Sequence, residues 1–447
     1  MSAAPAFPAT LDLEPWPRGS FHFETPLPGS KSLTLRDCAI AALADGVSTI
    51  RYPGECDDYW RMKDCLRRLG IAVDDSVDGV VRITGRGGEF AAGALTLNVG
   101  QSAVSTRLLL AMASLRPDPT TIDGHISMQQ RPNKALVDAL AALGARMESS
   151  NDGYLPTTVL GTRSLKGPAR VPSNISSQYL TSLLIIGPLI EGGLTIEVEG
   201  ELTSKPYVDL TLDEMAKFGA NVENHGYRKL IVAPLPYRAG AIDVEGDASA
   251  ASYFAALATL HGGRIRLSNL GTRTRQGDYA FFGLCEKLGA TVQRASDSTI
   301  IEGPRALGAG FDAPVDMSHM PDVAPTLMMI APFLGKPTRL EGLATLRVKE
   351  CDRIAAPTRE LRKLGVTVEE GPDYMVIEPL SAPQLRPADP IPARVEIETY
   401  HDHRIAMSFG VLGSRLPGIR ILDPGCVAKT YPNYWVDWQR ARMALRT

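Results

Sequence analysis

The sequence lacks the features that direct a chain into or across a membrane. It holds no run approaching the roughly 18 apolar residues that span a bilayer. Its first residues, Met1 to Pro5, lack the basic segment and apolar core of a signal peptide. Asp12 and Glu14 come early and arginine is sparse there, so no transit peptide is expected. These absences favour a cytoplasmic protein.

Cysteine is scarce, and the few present are scattered without a C-x-x-C pair. This spacing argues against a zinc site or a disulfide framework and suits a reducing compartment. The six cysteines are Cys38, Cys56, Cys65, Cys285, Cys351 and Cys426.

The chain also lacks net positive charge. Its 447 residues carry a formal net charge of −3, with 44% hydrophobic and 22% charged residues, the composition of an ordinary globular protein. Neither nucleic acid nor a membrane is therefore expected as a partner, and any anion site must be a local cluster of Arg and Lys. The length predicts two or more domains.

What the sequence does contain is a repeat. A helix-like segment that ends in Leu-Gly or Phe-Gly, usually followed by a β-branched strand, recurs at intervals of about 75 residues. Each glycine fits the left-handed position just after a helix, where a Cβ would cost energy. These glycines are Gly70, Gly144, Gly219, Gly289 and Gly365.

An Ala/Leu-rich helix, a small turn and a strand are interleaved with this element, as in Leu180 to Ile196. Six such units account for nearly the whole chain and predict an α/β protein. They group as three and three, with chain crossings near Pro26 to Gly29 and near Gly246. The predicted domains are residues 1–28 with 246–447, and residues 29–245.

In the stretch Arg347 to Arg353, five of seven side chains are ionisable at neutral pH. If it were helical, Lys349 and Arg353 would stand one turn apart, with Glu350 three residues before Arg353. Two cations and a carboxylate would then share one surface. The alternative is a solvated helix face with ordinary ion pairs, worth tenths of a kcal/mol.

Other basic residues lie where strands are followed by helices. Gly29 to Ser32 opens a helix that contains Arg36, although Ser30 between Gly29 and Lys31 excludes a Walker A loop. Arg107 is expected at a helix start, and Arg131 just before a helix whose first residue would be Pro132. A cation near a helix N-terminus opposes the helix dipole, which indicates a shared anion.

Hydroxyl and acidic residues occupy similar junctions. Ser173 to Gln178 and Ser204 to Tyr207 could bind an oxyanion or merely cap helices. Asp322 is either a base or an ordinary charge at a helix start, and Lys429 is expected in a loop. His401, Asp402 and His403 invite a metal site, but no further ligands at a recognisable spacing are visible. Converging Arg, Lys and Ser with two carboxylates predict an enzyme site for a poly-anionic small molecule.

Five rare strings carry a family resemblance: Arg131-Pro132, Ser176-Ser177-Gln178, Ser204-Lys205-Pro206-Tyr207, Arg347 to Arg353, and Asp402 to Met407. In this order they resemble the enolpyruvyl transferase family, in the branch that acts on shikimate 3-phosphate, over nearly the whole chain. The resemblance implies two similar inside-out α/β domains, each of three βαβαββ units. It also implies a monomer without metal or organic cofactor.

The implied reaction transfers the enolpyruvyl group of phosphoenolpyruvate to the 5-hydroxyl of shikimate 3-phosphate and releases phosphate, in aromatic amino-acid biosynthesis. Asp322 would take the hydroxyl proton, and Glu350, with Lys31, would move the proton at the methylene carbon. Protonating that carbon makes its neighbour cationic while the hydroxyl loses its proton, so an acid and a base are needed together. Domain closure is expected to exclude water.

Binding residues are carried over by position. Shikimate 3-phosphate would be bound by Lys31, Ser32, Arg36, Ser176, Ser177, Gln178, Ser204, Tyr207, Asp322 and Lys349. Phosphoenolpyruvate would be surrounded by Lys31, Ala103, Arg107, Arg131, Gln178, Lys349, Arg353, Arg404 and Lys429.

The chain departs from the family pattern at a few positions. Ala103 replaces a glycine beside the phosphoenolpyruvate site, where a methyl group narrows the cavity, so weak binding of the longer inhibitor glyphosate is expected. Gln101, Val104, Thr345 and His401 also differ and leave room for a specialised substrate.

Three alternatives follow. A paralogue could act on a related hydroxy acid in secondary metabolism. The branch that acts on UDP-sugars fits less well, because the serine strings match the shikimate branch. A non-catalytic binding protein would be expected to have lost Asp322 or Glu350, and both are present.

Overall fold

A computed structural model describes residues 7–17, 21–149, 152–162, 164–172, 176–200, 202, 204–380 and 394–444. Ser173 and Asn174, at the start of one of the predicted anion-binding strings, lie outside these residues. None of the described helices is long and apolar enough to cross a membrane.

The strands of the described residues are short. In chain order they are β1 Thr10–Leu13, β2 His22–Thr25, β3 Asp45–Arg51, β4 Ala72–Val77, β5 Val80–Arg86, β6 Leu95–Asn98, β7 Thr120–Asp123, β8 Met147–Ser149, β9 Thr157–Val159, β10 Ala169–Pro172, β11 Leu194–Glu199, β12 Val222–His225, β13 Lys229–Val232, β14 Ala241–Asp243, β15 Arg264–Leu267, β16 Thr291–Arg294, β17 Thr299–Glu302, β18 Val315–Asp316, β19 Thr338–Glu341, β20 Val368–Glu370, β21 Met375–Ile377, β22 Val395–Ile397 and β23 Ile419–Leu422.

The α-helices of the same residues are α1 Lys31–Leu43, α2 Asp57–Arg68, α3 Ala103–Ala113, α4 Ile126–Gln129, α5 Lys134–Ala142, α6 Ser177–Ile186, α7 Lys205–Lys217, α8 Ala248–His261, α9 Phe281–Lys287, α10 Ala324–Ile330, α11 Ala355–Lys363, α12 His403–Gly413 and α13 Tyr434–Met443. Short 3-10 helices span Gly187–Leu189, Gly277–Ala280, Pro321–Val323, Ala331–Phe333, Ala344–Val348 and Pro424–Lys429.

The chain divides into two compact units. The continuous unit is Gly29–Val244, and the discontinuous unit is Met1–Pro28 with Glu245–Thr447. Each unit has its own hydrophobic core, built around buried helices. In α6, for example, every residue but Gln178 is buried. An apolar surface on all sides of a helix predicts such burial.

The continuous unit contains three four-stranded sheets, ordered β14-β3-β5-β4, β6-β7-β9-β8 and β10-β11-β13-β12. Each begins with a parallel pair and continues with two antiparallel pairs. A parallel pair needs a crossover, which α3 and α6 supply in the second and third sheets. The order β10-α6-β11-α7-β12-β13 is one complete βαβαββ unit.

The discontinuous unit repeats this plan. Two of its sheets are ordered β16-β17-β15-β2 and β18-β19-β21-β20, with the same pairing directions. In the third, β22 is parallel to β23, and β1 from the start of the chain is antiparallel to β23. The first 28 residues are therefore part of this unit because β1 and β2 hydrogen-bond into its sheets.

These sheets confirm the predicted α/β fold of repeated units. The five repeat glycines all have positive φ, from 78° at Gly365 to 107° at Gly144, and each lies two residues after the last residue of α2, α5, α7, α9 or α11. They therefore end these helices in the left-handed conformation, as predicted.

Four local predictions were wrong. Arg107 lies in the second turn of α3 rather than at its start, and Pro132 lies two residues before α5. Lys429 ends a 3-10 helix instead of lying in a loop. Arg347 to Arg353 does not form one helix: a 3-10 helix ends at Val348, Lys349 is extended, and α11 begins only at Ala355.

Candidate active site

In the discontinuous unit, ends of several elements bring charged side chains together. Asp322 lies in the 3-10 helix before α10, Lys349 to Arg353 link another 3-10 helix to α11, and Arg404 is in the first turn of α12. Lys429 ends the 3-10 helix that follows β23. Residues far apart in sequence therefore meet because the repeated units place their strand-to-helix junctions close together.

Asp322 is surrounded by cations. Its Oδ1 lies 3.3 Å from Lys349 Nζ and 3.3 Å from Arg353 Nη1, and its Oδ2 accepts a hydrogen bond of 2.8 Å from Arg404. Burial alone would raise the pKa of Asp322, but the charges of Arg404, Lys349 and Arg353 outweigh burial. The pKa of Asp322 is therefore held well below its usual range.

Arg353 is the centre of this cluster and is only 1% exposed. It forms a two-pronged contact with Asp402, through Nε at 2.7 Å and Nη2 at 3.0 Å, and donates to Glu350 at 2.7 Å. Burial would lower the pKa of Arg353, yet Asp402, Glu350 and Asp322 raise it. The guanidinium presents five N–H donors in a rigid fork, so it can contact Asp402 in two-pronged fashion and still donate to Glu350 and Asp322, whereas an ammonium group has only three donors.

Glu350 connects Arg353 to a further cation, since its other oxygen lies 3.7 Å from Lys429 Nζ. The Lys429 side chain is 4% exposed and that of Glu350 is 14% exposed. Both side chains are thus largely removed from water. Their charges interact more strongly than they would in bulk water, because the surrounding dielectric constant is lower.

Arg347 and Asp352 behave differently from their neighbours. Arg347 Nη1 pairs with Asp352 at 2.8 Å and with Glu370 at 3.3 Å, away from Asp322. These contacts are half-exposed, as is typical of ordinary surface ion pairs. Arg347 and Asp352 therefore fit the alternative interpretation of the stretch as a solvated surface.

In the continuous unit, α1 carries three of the predicted residues, Lys31, Ser32 and Arg36. Lys31 Nζ lies 3.1 Å from the buried carboxylate of Asp58. Arg36 is 1% exposed and donates to Thr211 Oγ1, to the Ser32 carbonyl and to the Tyr207 carbonyl, at 2.9, 2.8 and 3.4 Å. Burial lowers the pKa of Arg36 to about 10, still far above neutrality.

Arg107 and Arg131 are both buried in this unit. Arg107 donates to the Ala103 carbonyl at 2.9 Å and to the Pro132 carbonyl at 3.1 Å, and Tyr179 donates to the same Pro132 carbonyl at 2.7 Å. The loop that carries Arg131 is thereby tied to α3 and α6.

The serine strings serve partly as caps. Ser176 Oγ accepts a hydrogen bond from the Gln178 backbone and caps α6, whereas Ser204 precedes α7 in a left-handed conformation without a side-chain cap. Ser177 and Ser204 are each 7% exposed. The side-chain oxygen of Gln178 is buried and has no hydrogen-bond partner among the described residues. It is an acceptor available to a ligand.

Sequence reasoning missed several residues that support these groups. Asp58 and Tyr179 in the continuous unit, and Ser249 and Asp278 in the discontinuous one, contact predicted residues or one another. Their strings look like ordinary helix starts, so only the tertiary contacts could identify them.

The possible metal string does not form a cluster. His401 is exposed and pairs through Nδ1 with Asp423 at 2.7 Å, whereas the following His403 is fully buried. Among the described residues no group of three or more His, Cys, Asp or Glu side chains could hold a metal ion.

Comparisons with known proteins identify the family. The sequence model of the family described as EPSP synthase (3-phosphoshikimate 1-carboxyvinyltransferase) matches residues 21–438. A 3-phosphoshikimate 1-carboxyvinyltransferase of Shewanella amazonensis is 39% identical over 414 residues, covering 92% of this chain and 94% of that protein. The one of Ralstonia pickettii is 40% identical over 416 residues, with the same coverage.

A solved structure of EPSP synthase from Acinetobacter baumannii superposes with a TM-score of 0.78 at 27% identity, covering 97% of this chain and 98% of that one. Fold, length and sequence therefore agree. This chain belongs to the EPSP synthase (3-phosphoshikimate 1-carboxyvinyltransferase) family.

Proposed function

We propose that this chain transfers the enolpyruvyl group of phosphoenolpyruvate to the 5-hydroxyl of shikimate 3-phosphate, giving 5-enolpyruvylshikimate 3-phosphate and phosphate. Relatives that share about two fifths of its residues over more than nine tenths of its length bear the name of that reaction. A cytoplasmic location and a monomeric state stay predictions.

One observation supports the chemistry most directly. Asp322 and Glu350 both contact Arg353, and cations also touch each carboxylate from other elements. A base and an acid are thus held in one cationic cluster of a single unit. Phosphoenolpyruvate carries a carboxylate and a phosphate, and such a cluster suits anions with several oxygens.

The reaction proceeds by addition and elimination. The methylene carbon of phosphoenolpyruvate gains a proton, the neighbouring carbon becomes cationic, and the 5-hydroxyl oxygen adds to that carbon as its own proton leaves. Loss of phosphate and of one proton from the methyl group so formed then restores the double bond. We assign the hydroxyl proton to Asp322 and the methylene proton to Glu350 together with Lys31.

The low pKa of Asp322 bears on this role, because a weakly basic carboxylate is a poor proton acceptor. Bound phosphoenolpyruvate would share Arg404, Arg353 and Lys349 with Asp322. Its negative charge would weaken their hold on the carboxylate and raise the pKa of Asp322. The base would thus gain strength only when the second substrate is present.

We assign the substrate-binding residues by their positions in the family's motifs. For shikimate 3-phosphate they are Lys31, Ser32, Arg36, Ser176, Ser177, Gln178, Ser204, Tyr207, Asp322 and Lys349. For phosphoenolpyruvate they are Lys31, Ala103, Arg107, Arg131, Gln178, Lys349, Arg353, Arg404 and Lys429. Arginines bind carboxylate or phosphate in two-pronged fashion, and their charge stabilises the anionic intermediate.

The test is turnover with both substrates, followed as phosphate release. Asp322→Ala and Glu350→Gln should each lower kcat by roughly 100-fold or more, the usual contribution of a positioned acid or base. Glu341→Gln is the matched control, because Glu341 is also paired with an arginine but lies outside the cluster. Its kcat should equal that of the wild type.

Two outcomes would refute these assignments. If the wild type releases phosphate with a related hydroxy acid but not with shikimate 3-phosphate, the chain is a specialised paralogue. If it turns over shikimate 3-phosphate and neither variant lowers kcat, the residue roles are wrong while the activity stands.

A further inference from the structure

Arg404 lies between two carboxyl groups, of which only one belongs to the proposed acid–base pair. Its Nη2 donates to Asp322 Oδ2 at 2.8 Å and to Ser249 Oγ at 3.3 Å. The Ser249 hydroxyl in turn donates to Asp278 Oδ2. A chain of hydrogen bonds therefore runs from Asp322 through Arg404 and Ser249 to Asp278.

This second carboxyl is unusual for a merely structural residue. Asp278 is 4% exposed, and its other oxygen is buried without a hydrogen-bond partner in the part of the chain that the structure describes. Leaving a buried polar oxygen unsatisfied is costly, and structural carboxylates normally have all their oxygens bonded. Asp278 comes from the 3-10 helix before α9, and Ser249 from the first turn of α8.

We propose that Asp278 is a positioning residue: through Ser249 it holds Arg404 against Asp322, and its own charge sets how strongly Arg404 attracts anions. This proposal rests on the function proposed above, in which Arg404 binds phosphoenolpyruvate. Asp278 itself touches neither substrate.

The surroundings of Asp278 decide when it is charged. Burial, together with the charges of Asp322 and Asp247, raises the pKa of Asp278 to about 7, although Arg404 and the Ser249 hydroxyl act in the opposite direction. Asp278 therefore changes charge near neutral pH. When it ionises, it adds a negative charge beside Arg404 and weakens the attraction for an anionic substrate.

Two kinds of variant separate position from charge. Asp278→Asn can still accept from Ser249 but stays neutral at every pH. Asp278→Ala and Ser249→Ala both remove the link to Arg404. We expect Asp278→Ala and Ser249→Ala each to raise KM for phosphoenolpyruvate about tenfold, the scale of one lost buried hydrogen bond, and to leave KM for shikimate 3-phosphate unchanged.

The double variant should be little worse than either single one, because both changes act through the same arginine. In the wild type, KM for phosphoenolpyruvate should rise as the pH passes about 7, and Asp278→Asn should lack this rise. The ionisation of the substrate is common to both proteins and cancels in the comparison.

Asp437→Asn is the matched control. Like Asp278, Asp437 is buried, at 8% exposure, and accepts a hydrogen bond from a hydroxyl, that of Tyr431. It also accepts from Arg440, but it belongs to α13 and is not linked to Arg404 by the hydrogen bonds described above. This variant should keep the wild-type pH dependence of KM. The proposal is overturned if KM for phosphoenolpyruvate has the same pH dependence in Asp278→Asn and the wild type, or if Asp437→Asn also loses this pH dependence. It is likewise overturned if the increases in KM of Asp278→Ala and Ser249→Ala are additive in the double variant.

A measurement without turnover keeps the two proposals distinguishable. The infrared difference between the wild type and Asp278→Asn should contain a carboxylic acid C=O band that disappears as the pH rises through about 7. If the wild type fails to turn over shikimate 3-phosphate, the proposed function fails, yet this band still reports on Asp278. If Asp278→Ala does not fold, Ser249→Ala tests the same link, and an absent band overturns the charge role.

Discussion

Arg353 shows how one side chain organises the charged cluster of the discontinuous unit. It is buried, and its three nitrogens contact Asp402, Glu350 and Asp322. Buried ion pairs offset their desolvation cost only with good geometry, and breaking one leaves an uncompensated charge. Replacing this Arg by Lys is therefore expected to destabilise the fold.

Arg353→Lys keeps the positive charge but loses the fork. We expect it to lower the free energy of unfolding by about 3 kcal/mol, as for a broken buried pair. Arg347→Lys, in the same stretch but on a half-exposed pair, should cost less than about 1 kcal/mol. Urea unfolding measures both. Equal losses would contradict the central position of Arg353.

Ala103 is a second residue with a specific expected effect. It is the first residue of α3 and 8% exposed. If its methyl group narrows the phosphoenolpyruvate site, Ala103→Gly should lower the inhibition constant of glyphosate by roughly 10-fold or more. Ala113→Gly, which removes a methyl group at the other end of α3, should leave inhibition unchanged. A wild-type inhibition constant below about 1 µM would contradict the hypothesis.

His261 gives a pH-dependent prediction. Its ring stacks on Trp16 with centroids 5.1 Å apart, and Nε2 lies 2.8 Å from Ser414 Oγ. Burial, aided by the charge of Arg415, lowers its pKa to about 3. The folded histidine thus stays neutral between pH 6.5 and about 3, whereas the unfolded chain takes up a proton.

The contribution of His261 to the free energy of unfolding is therefore fully present above pH 6.5. It is lost as the pH falls towards about 3, by up to about 1.4 kcal/mol per pH unit. His261→Gln should remove this slope, and His22→Gln, at an exposed position of β2, should keep it. Asp278 has a raised pKa, so its contribution to the free energy of unfolding increases as the pH falls from about 7, opposite to that of His261. The variants are therefore compared with the wild type at each pH. Parallel curves for His261→Gln and the wild type would refute the prediction.

At the scale of elements, the repeat depends on how its helices end. Gly219 follows α7 with φ +87°, and a Cβ there would meet only Arg238, at an ordinary 3.6 Å. The cost of a side chain at this position is therefore conformational and not steric.

We expect Gly219→Ala to destabilise the continuous unit by about 1 kcal/mol. Gly240→Ala is the control in the same unit, because a Cβ at Gly240 would meet no described atom within 4 Å and its φ is not positive. It should be neutral or slightly stabilising. Thermal unfolding compares the two, and an equal loss at both positions would show that backbone conformation is not the cause.

At the scale of the whole molecule, the two units differ in how the chain builds them. The continuous unit holds its own core and all the strands of its three sheets, including β14, which pairs with β3. The discontinuous unit needs β1 and β2 from the start of the chain.

A fragment of residues 29–244 should therefore fold alone and unfold cooperatively in urea. A fragment of residues 245–447 lacks β1 and β2 and should not, since two of its sheets would lose an outer strand. A further fragment of residues 29–239, without β14, should be less stable than residues 29–244. Cooperative unfolding of residues 245–447 alone would contradict this assignment of strands.

The repeat and much of the fold follow from local features of the amino-acid sequence. Glycine after a helix and an apolar helix surface are local signals, since φ preference and burial depend on the residue and its near neighbours. Gly70 and the other repeat glycines, and buried α6, were accordingly predicted correctly. The family, too, could be read from short strings such as Ser176-Ser177-Gln178.

Which charged side chains meet depends on how distant elements pack together. If Arg347 to Arg353 were one helix, Lys349 and Arg353 would be neighbours on its face. In the structure they instead meet at Asp322, because the chain between them is extended and turned. Asp278 gave no signal in the sequence, since its role depends on Ser249 and Arg404, which are distant along the chain. Ion pairs and buried hydrogen bonds depend on distances between elements, and no local pattern encodes those distances.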